Sequence, residues 1–226
     1  MASLTTPDWE EPSEHPELKD DIHAWLIPLE KANCLPSSLS ADELERWRQM
    51  SDPVLGRRFC AARSALRLLL GNYTGTAAAQ IRLQVSAHGK PHLVDPADSI
   101  RFNLSHSADW ALMAFSRSLE LGADLERLRD LPSRRRIARR TMGARAISEL
   151  EANNYSDLDF TRLWTCLEAR QKCQGQGIFG RSVKETETGL VSFRVAEQII
   201  GSIAWAEPDI RPGIRYFRSL LMKTPS

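Results

Sequence analysis

Three short motifs in this sequence carry side chains that could act together in catalysis. In chain order they are FNLSHS at 102–107, LGADLE at 121–126 and LWTCLEARQK at 163–172. Asp124 and Glu126 are separated by one residue in an apolar, strand-like run, so both side chains leave the same face of the strand. Glu168 and Lys172 are four residues apart in a helical run, so they also share a face.

Carboxylates beside basic groups suit the binding of a phosphorylated substrate. Mg2+ prefers oxygen ligands and commonly binds through one or two carboxylates together with substrate phosphates. A bound Mg2+ also stabilises the charge that develops on a reacting phosphate. The three motifs therefore predict phosphate chemistry supported by a hard cation.

Each motif taken alone also has a structural interpretation. Acidic residues are common on strands at sheet edges, and a Glu/Lys pair four residues apart is usually a surface ion pair that contributes about 0.3–0.5 kcal/mol. A single histidine is more often structural than a ligand contact. The acid pair is strengthened by its setting, because Leu121, Ala123 and Leu125 give the same strand an apolar opposite face. This favours a metal or ion-pair role for the acids over simple solvation.

The composition is that of an ordinary globular protein. The 226 residues allow one large domain or two small ones, with 42% apolar and 26% charged residues. The net charge is only +1, so we expect no general attraction to nucleic acid or to an acidic membrane. The N-terminus has no basic segment followed by an apolar one, and no apolar run reaches the length of a membrane span. A cytoplasmic protein is therefore expected.

The cysteine pattern indicates reduced thiols. Four cysteines are present, with no CxxC pair and no spacing typical of zinc ligands: Cys34, Cys60, Cys166 and Cys173. Cys60 lies in an apolar helical run, where a buried thiol is the usual finding. We expect free cysteines, which fits a cytoplasmic location better than a disulfide scaffold.

Periodicity and capping signals predict a mixture of strands and helices. Strands are predicted over 22–28, 81–85, 91–94, 101–104, 110–116, 119–125, 190–195 and 198–205. Helices are predicted over about 41–50, 53–71, 133–152 and 158–174. Ser40 and Glu43 have capping-box spacing at the first helix, and Pro53 suits the first turn of the second.

The order strand, helix, helix, strands occurs once in each half of the chain, without a residue-level repeat. This predicts an α+β fold in which two similar lobes pack together in a pseudo-twofold arrangement. We expect a loose acidic leader over 1–20, an N-terminal lobe over 21–105, a C-terminal lobe over 106–211 and a tail over 212–226. His106 would then lie at the seam between lobes, where ligand pockets are common.

In this order and spacing, the motifs resemble the signature blocks of the surfactin-type (Sfp-like) 4'-phosphopantetheinyl transferases. Gly89-Lys90-Pro91 adds a fourth block to the three motifs, and the resemblance spans about residues 40–195. It implies Mg2+-dependent transfer of 4'-phosphopantetheine from coenzyme A to a serine of an apo acyl or peptidyl carrier protein. The other product would be adenosine 3',5'-bisphosphate. The family also has a pseudo-twofold α+β fold.

The resemblance implies roles for individual residues. Asp124, Glu126 and Glu168 correspond to the metal-binding carboxylates. Glu168 also corresponds to the position often given the general-base role, acting directly or through a water molecule. The implied catalytic residues are Asp124, His106, Glu168 and Lys172.

A second set of residues corresponds to positions that contact coenzyme A. These are Arg46, Lys90, Asn103, Ser105, His106 and Lys172. Lys172 would contact the pyrophosphate, and a protonated His106 would be stabilised by an adjacent phosphate. Arg46 corresponds to the basic position at the 3'-phosphate, and Arg48 or Arg58 takes its place if the alignment is shifted.

The chain departs from the family pattern at three places. Leu167 stands where a lysine is usual, Thr141 and Met142 replace two aromatic residues, and Ala146 replaces an acid. The metal carboxylates and Lys172 are retained, so activity is expected. The alternative is a weakened homologue that binds coenzyme A or a carrier protein without efficient transfer.

The run RRRIARR at 134–140 is expected first of all to be a solvated helix face. A second interpretation is the docking of an acidic carrier domain, since opposite charges speed encounter. Nucleic-acid binding is disfavoured because no aromatic residues are interspersed and the chain is nearly neutral overall. The length and lobe arrangement are those of a monomer in the surfactin-type family.

Overall fold

The structure is a computed structural model that describes residues 4–95, 100–175 and 187–219. The strands are β1 Ile22–Pro28, β2 Arg82–Val85, β3 Pro91–Asp95, β4 Arg101–Ser107, β5 Trp110–Ser116, β6 Leu121–Arg127, β7 Gly189–Ala196, β8 Ile199–Trp205 and β9 Ile214–Arg218. The α-helices are α1 Ala41–Arg48, α2 Pro53–Thr74, α3 Arg134–Thr141, α4 Ala144–Ala152 and α5 Asp157–Cys173. Within these ranges, none of the helices is long and apolar enough to cross a membrane.

Two of the three sheets in the described residues are each covered by a long helix, and the third is the two-stranded ladder of β2 and β3. The first has the strand order β4-β5-β1-β9, with β9 parallel to β1 and the other pairs antiparallel. The apolar stripe of α2 packs on it, around Leu66, Leu69 and Phe115. The second sheet has the order β6-β8-β7 and is covered by α5. The predicted α+β fold is confirmed.

A buried ion pair fixes α1 on α2. Ser40 and Glu43 form the predicted capping box at the start of α1. The Glu43 carboxylate also accepts hydrogen bonds from Arg63 and Arg67 of α2. Arg67 is 2% exposed and donates further to the backbone oxygens of Ala78 and Ile81. The Glu43 carboxylate therefore caps the start of α1 and accepts hydrogen bonds from two guanidinium groups.

Several element ends differ from the prediction for local reasons. α2 does not stop at Gly71 but continues to Thr74, and Gly75 ends it with a φ of 69° in the left-handed region. The helix predicted over 133–152 is two helices, because Met142 adopts extended backbone angles between them. The range 212–226, predicted as a tail, contains a short strand, β9. Residues 220–226 of that range lie outside the described residues.

The predicted lobe boundary after residue 105 falls inside β4. The first sheet takes β1 and most of β4 from one side of that boundary, and β5 and β9 from the other. The strand order thus interleaves distant parts of the chain.

The N-terminal segment over 4–20, predicted to be a loose leader, contacts both sheets. Thr5 forms a β-bridge with Phe193 of β7, and Glu10 forms one with Phe217 of β9. The Leu18 side chain is buried. These apolar and backbone contacts hold the segment in place despite its acidic composition.

The expectation of free cysteines was wrong for one pair. Cys34 and Cys60 form a disulfide across 26 residues, joining the loop before α1 to the middle of α2. No local spacing signals such a contact, because the loop and the helix are brought together only by the tertiary fold. Cys166 and Cys173 are free and buried. The cysteines therefore give no support for a cytoplasmic location.

Replacing Glu43 by glutamine is expected to destabilise the fold. The change leaves the buried guanidinium of Arg67 without its countercharge, and breaking a buried pair in this way costs about 3–5 kcal/mol. Urea unfolding would measure the loss. Asp42→Asn, the same chemical change at an exposed neighbouring position, is expected to cost less than about 1 kcal/mol. Equal losses in the two variants would contradict this account.

Candidate active site

The site lies where the first sheet meets the second, along β4 and β6. Three alternate side chains of β4 bond to β6: Asn103 to the Ala123 amide, Ser105 to the Asp124 carboxylate and Ser107 to the Glu126 carboxylate, at 2.8, 2.9 and 3.2 Å. Alternation along a strand puts all three on one side of β4. The histidine motif and the acidic motif of the sequence are therefore in direct contact.

An unusually close approach of α5 to β6 brings the third motif to the same place. A Cβ atom added at Gly122 would lie 1.8 Å from the Ala169 backbone oxygen and 2.4 Å from the Cys173 amide nitrogen. Only glycine leaves room for the helix backbone here. The contact sets Glu168 and Lys172 beside the carboxylates of β6.

Lys172 joins the motifs electrostatically. Its Nζ lies 2.6 Å from Asp124 Oδ1 and 3.7 Å from Glu168 Oε2. It also donates to Ser105 Oγ at 3.2 Å. One ammonium group thus contacts a side chain from each of the three motifs.

Asp124 and Glu168 are buried, Glu126 is partly buried, and the pKa of each glutamate is raised. Asp124 is 2% exposed and Glu168 is 8% exposed. Burial and then the charge of Asp124 raise the pKa of Glu168 to about 7. Burial and then Asp124 also raise the pKa of Glu126 above its ordinary value. Three carboxylates share one lysine, so the site favours additional positive charge.

The donor set suits a hard divalent cation. Asp124 Oδ2 is buried and accepts no hydrogen bond in the described structure, so one oxygen is available in the centre of the cluster. Carboxylate oxygens are the ligands that Mg2+ prefers. Within the described ranges, no three His, Cys, Asp or Glu side chains lie close enough together to bind one metal ion. Lys172 lies between two of the three carboxylates, which explains their separation, and the magnesium role stays a prediction.

Lys172 and Arg46 of α1 act electrostatically on His106, whose side chain leaves β4 on the face opposite to Ser105 and Ser107. Partial burial, followed by the charges of Lys172 and Arg46, lowers the pKa of His106 below its ordinary value. The Arg46 guanidinium stacks over Phe59 at 5.2 Å. Arg58, one of the alternatives to Arg46, is paired with Asp109. The charge environment of His106 therefore favours Arg46 as the basic group beside it.

Other predicted phosphate contacts bond within the protein. Lys90 Nζ donates to the backbone oxygens of Leu121 and Cys173 and pairs with Glu120, at 2.9, 3.4 and 2.9 Å. Asn103 and Ser105 hold β6 by the bonds given above. These residues position the two sheets and α5, and their contacts with coenzyme A stay a prediction.

Sequence reasoning missed three participants. Ser107 continues the alternation of Asn103 and Ser105, which was the available signal, and holds Glu126. Trp164 and Arg129 line a cavity of about 330 Å3 whose wall includes Glu126 and Glu168. Nothing in their spacing indicates this, because three separate segments form the cavity.

The two α+β units thus meet at an acidic cluster whose lysine contacts two of its carboxylates. No protein-family model matches the sequence. It is 34% identical over 203 residues to the 4'-phosphopantetheinyl transferase HetI of Nostoc sp., covering 86% of this chain and 84% of that relative. It is 29% identical over 159 residues to the 4'-phosphopantetheinyl transferase psf-1 of Bacillus pumilus, covering 68% and 65%. The chain belongs to the 4'-phosphopantetheinyl transferase family and is an enzyme of that class.

The resemblance seen in the motifs is thereby confirmed at the level of the family. Its surfactin-type branch stays a prediction. Three positions that depart from the expected surfactin-type pattern lie in one apolar cluster with Tyr155 and Phe160. Met142 and Ala146 are buried there, and Leu167 is partly buried.

Magnesium is expected to raise the melting temperature of the wild-type protein. A ligand that binds only the folded state stabilises it by about 2.7 kcal/mol at a hundred times its Kd. In Asp124→Asn the magnesium-dependent shift should disappear, because the buried ligand oxygen is lost. Asp130→Asn, an exposed position, serves as the control. A full shift in Asp124→Asn would refute the assigned metal role.

Proposed function

We propose that this enzyme transfers 4'-phosphopantetheine from coenzyme A to a serine of an apo acyl or peptidyl carrier protein, with Mg2+, as a member of the surfactin-type branch. The observation that carries the proposal is the cluster of Asp124, Glu126 and Glu168, in which Lys172 contacts Asp124 and Glu168. Membership of the family supports the transferred group, since its relatives are named for it. Adenosine 3',5'-bisphosphate is the second product.

The reaction exchanges one phosphorus–oxygen bond for another. The carrier serine oxygen attacks the phosphorus that bears the pantetheine, and the bond from that phosphorus to the bridging pyrophosphate oxygen breaks. The serine proton passes to Glu168, and the leaving bisphosphate takes the electron pair. Burial and the charge of Asp124 raise the pKa of Glu168 to about 7 in the protein without a bound cation. With Mg2+ held by the same carboxylate, the proton would reach Glu168 through a water molecule.

The cationic side chains bind the phosphates. Lys172 is already held at the cluster and can donate to the pyrophosphate oxygens there. His106 and Arg46 lie on the first-sheet side and suit the remaining phosphate. Charge-assisted hydrogen bonds of this kind are about twice as strong as neutral ones.

The three carboxylates would hold Mg2+, which supplies electrostatic stabilisation of the charge on the reacting phosphate when bound. Ser105 and Ser107 orient Asp124 and Glu126 by hydrogen bonds from β4. Such supporting bonds fix the direction in which each carboxylate oxygen points. The first sheet therefore contributes to the acidic site without providing a ligand.

The weakened-homologue alternative rests on one observation. Leu167 packs into an apolar cluster, so the cation usual at this position is missing from the phosphate side of the site. The retained acids and Lys172 argue against inactivity. The assay below separates the two.

Incubation with coenzyme A, Mg2+ and an apo carrier protein is expected to add the pantetheinyl mass to the carrier. Mass spectrometry of fatty-acid, polyketide and nonribosomal-peptide carriers would identify the accepted class. Coenzyme A binding without modification of any carrier would favour the weakened homologue.

Glu168→Gln is expected to reduce kcat by about 10²–10⁴-fold, because the amide cannot accept the serine proton. Circular dichroism would verify that the variant is folded. Glu151→Gln, on the exposed side of α4, is the matched control and should keep its activity. Turnover within a few-fold of wild type in Glu168→Gln would refute the proton-acceptor role.

His106→Gln is expected to raise the KM for coenzyme A by about tenfold through loss of a charge-assisted bond. The pKa of His106 is lowered in the free enzyme, so binding of a phosphate must take up a proton. In the wild type this KM should therefore rise as the pH increases from below about 6.5, and the variant should lose that rise. His92→Gln, on β3, should behave as wild type. An unchanged KM in His106→Gln would contradict the assignment.

A further inference from the structure

A row of polar side chains crosses the second sheet beside the acidic cluster. Asp124 of β6 lies opposite Ser202 of β8, and Ser202 lies opposite Ser192 of β7. Residues that are directly opposite on neighbouring strands point to the same face of a sheet. Asp124 contacts Lys172 of α5. The whole row therefore lies on the face of the sheet that α5 covers.

Two side chains of α5 contact the serines of this row. Thr165 Oγ1 lies 2.8 Å from Ser202 Oγ, and Ser202 Oγ lies 2.8 Å from Ser192 Oγ. Cys166 Sγ lies 3.0 Å from Ser192 Oγ. Thr165, Cys166 and Ser202 are buried, so these bonds replace the ones that the same groups would make with water. The helix and the sheet thus share one continuous chain of hydrogen bonds.

The end of the chain on α5 fixes the direction of its hydrogen bonds. Thr165 Oγ1 donates to the backbone oxygen of Arg162 at 2.9 Å, and a carbonyl oxygen can only accept. A hydroxyl group carries one proton, so Thr165 accepts the bond that it shares with Ser202. Ser202 uses its own proton in that bond and has none to donate to Asp124. This agrees with the buried Oδ2 of Asp124, which accepts no hydrogen bond in the described structure.

Thr165 provides the second of two contacts that orient α5 on the sheet. The first is the backbone contact of Ala169 at Gly122. Thr165 and Ala169 are four residues apart, so both lie on the same face of the helix. A helix held at one point can turn about it, whereas two contacts one helical turn apart fix its direction across the strands. Glu168 lies between the two contacts, and its placement therefore depends on both.

Apolar packing holds α5 at other points. Ala169 and Cys173 form a small buried cluster with Ala204 of β8. Leu163 and Leu167 pack in the cluster that contains residues of α3 and α4. The contact with the serines of β7 and β8 is made by hydrogen bonds instead. Because hydrogen bonds are directional, this contact can set the rotation of the helix more narrowly than apolar packing does.

We propose that Thr165 is a positioning residue for the transfer reaction, which acts through Ser202 to hold the carboxylate and the ammonium group of α5 against Asp124. The proposal rests on the proposed function. Thr165 touches neither the substrate nor the cation. It acts through the placement of α5 and through the Ser202 proton that it keeps from Asp124. A displacement of about 1 Å that begins far from the reacting groups can lower a rate by about 100-fold.

Thr165→Val removes the hydrogen bonds and keeps nearly the same side-chain shape. Steady-state transfer assays should show kcat reduced by about 10–100-fold, because α5 loses its polar contact with β8. The KM for coenzyme A should stay close to the wild-type value, since Lys172 remains beside the contact at Gly122. Thr165→Ser keeps the hydroxyl group and should keep most of the wild-type kcat. Equal losses of kcat in the valine and serine variants would contradict a role for the hydroxyl group.

Thr74→Val is the matched control. Thr74 Oγ1 donates to the Leu70 backbone oxygen at 2.8 Å, which is the same kind of bond within a helix that Thr165 makes. Thr74 is at the end of α2, the helix on the first sheet. Its replacement should leave kcat unchanged. A loss of kcat equal to that in Thr165→Val would overturn the proposal.

Melting curves of the substrate-free protein, with and without Mg2+, separate positioning from a general loss of stability. A general loss lowers the melting temperature but leaves the increase caused by Mg2+ intact. Displacement of Glu168 also reduces that increase, because the cation is bound less tightly by the folded state. We expect a reduced increase in Thr165→Val and a full one in Thr74→Val. A full increase in both variants would overturn the proposal.

Ser202→Ala tests the same contact from β8 and remains decisive if Thr165→Val fails to fold. It should reduce kcat and the magnesium-dependent increase to a similar degree. The effects of the two substitutions should not add in the double variant, because both break the same contact. Additive effects would show that the two side chains act independently and would overturn the proposed route through Ser202.

The wild-type protein distinguishes failure of this proposal from failure of the proposed function. A wild type that transfers no pantetheinyl group and gains no stability from Mg2+ would overturn the proposed function. A wild type with both properties, together with Thr165→Val and Ser202→Ala variants that keep them, would overturn the positioning role alone.

Discussion

The backbone contact between α5 and β6 at Gly122 is the constraint on which the site depends. Any side chain at this position would collide with the helix backbone at Ala169, so α5 could not lie where it does. The helix is the source of Glu168 and Lys172, and the strand is the source of Asp124. A separation larger by the radius of one methyl group would break the short contact between the lysine and the aspartate.

The site in turn stabilises the seam between the sheets. β4 has no ladder with β6; polar side chains join these two strands, and a buried apolar cluster with residues from both sheets packs the sheets together. Asn103 is buried and accepts a backbone hydrogen bond, which compensates for its loss of water. The same serine that supports Asp124 also contacts Lys172. The hydrogen bonds that orient the acidic groups therefore also add polar contacts to the apolar packing of the two sheets.

Local periodicity predicted most of the elements and the central residues of the site, but it did not predict β9 or the break between α3 and α4. The acid pair of β6 and the Glu/Lys pair of α5 share a face because of strand and helix geometry alone, and the motif order predicted their convergence. Contacts between residues that are far apart in the sequence produce no local periodicity. The tertiary fold alone determines three such contacts. They are the Cys34–Cys60 disulfide, the hydrogen bond from Lys90 to a backbone oxygen, and the pairing of β9 with β1. The cavity beside Trp164 is of the same kind.

The place of β1 in its sheet governs the order in which the protein can fold. β1 lies between β5 and β9, and β9 follows every other described element in the chain. During synthesis, the edge of β1 that pairs with β9 therefore stays unpaired until residues 214–218 have left the ribosome. Contacts of such long sequence separation slow folding and expose strand edges meanwhile. The second sheet has no such requirement, since β6, β7, β8 and the helix that covers them all lie within residues 121–205.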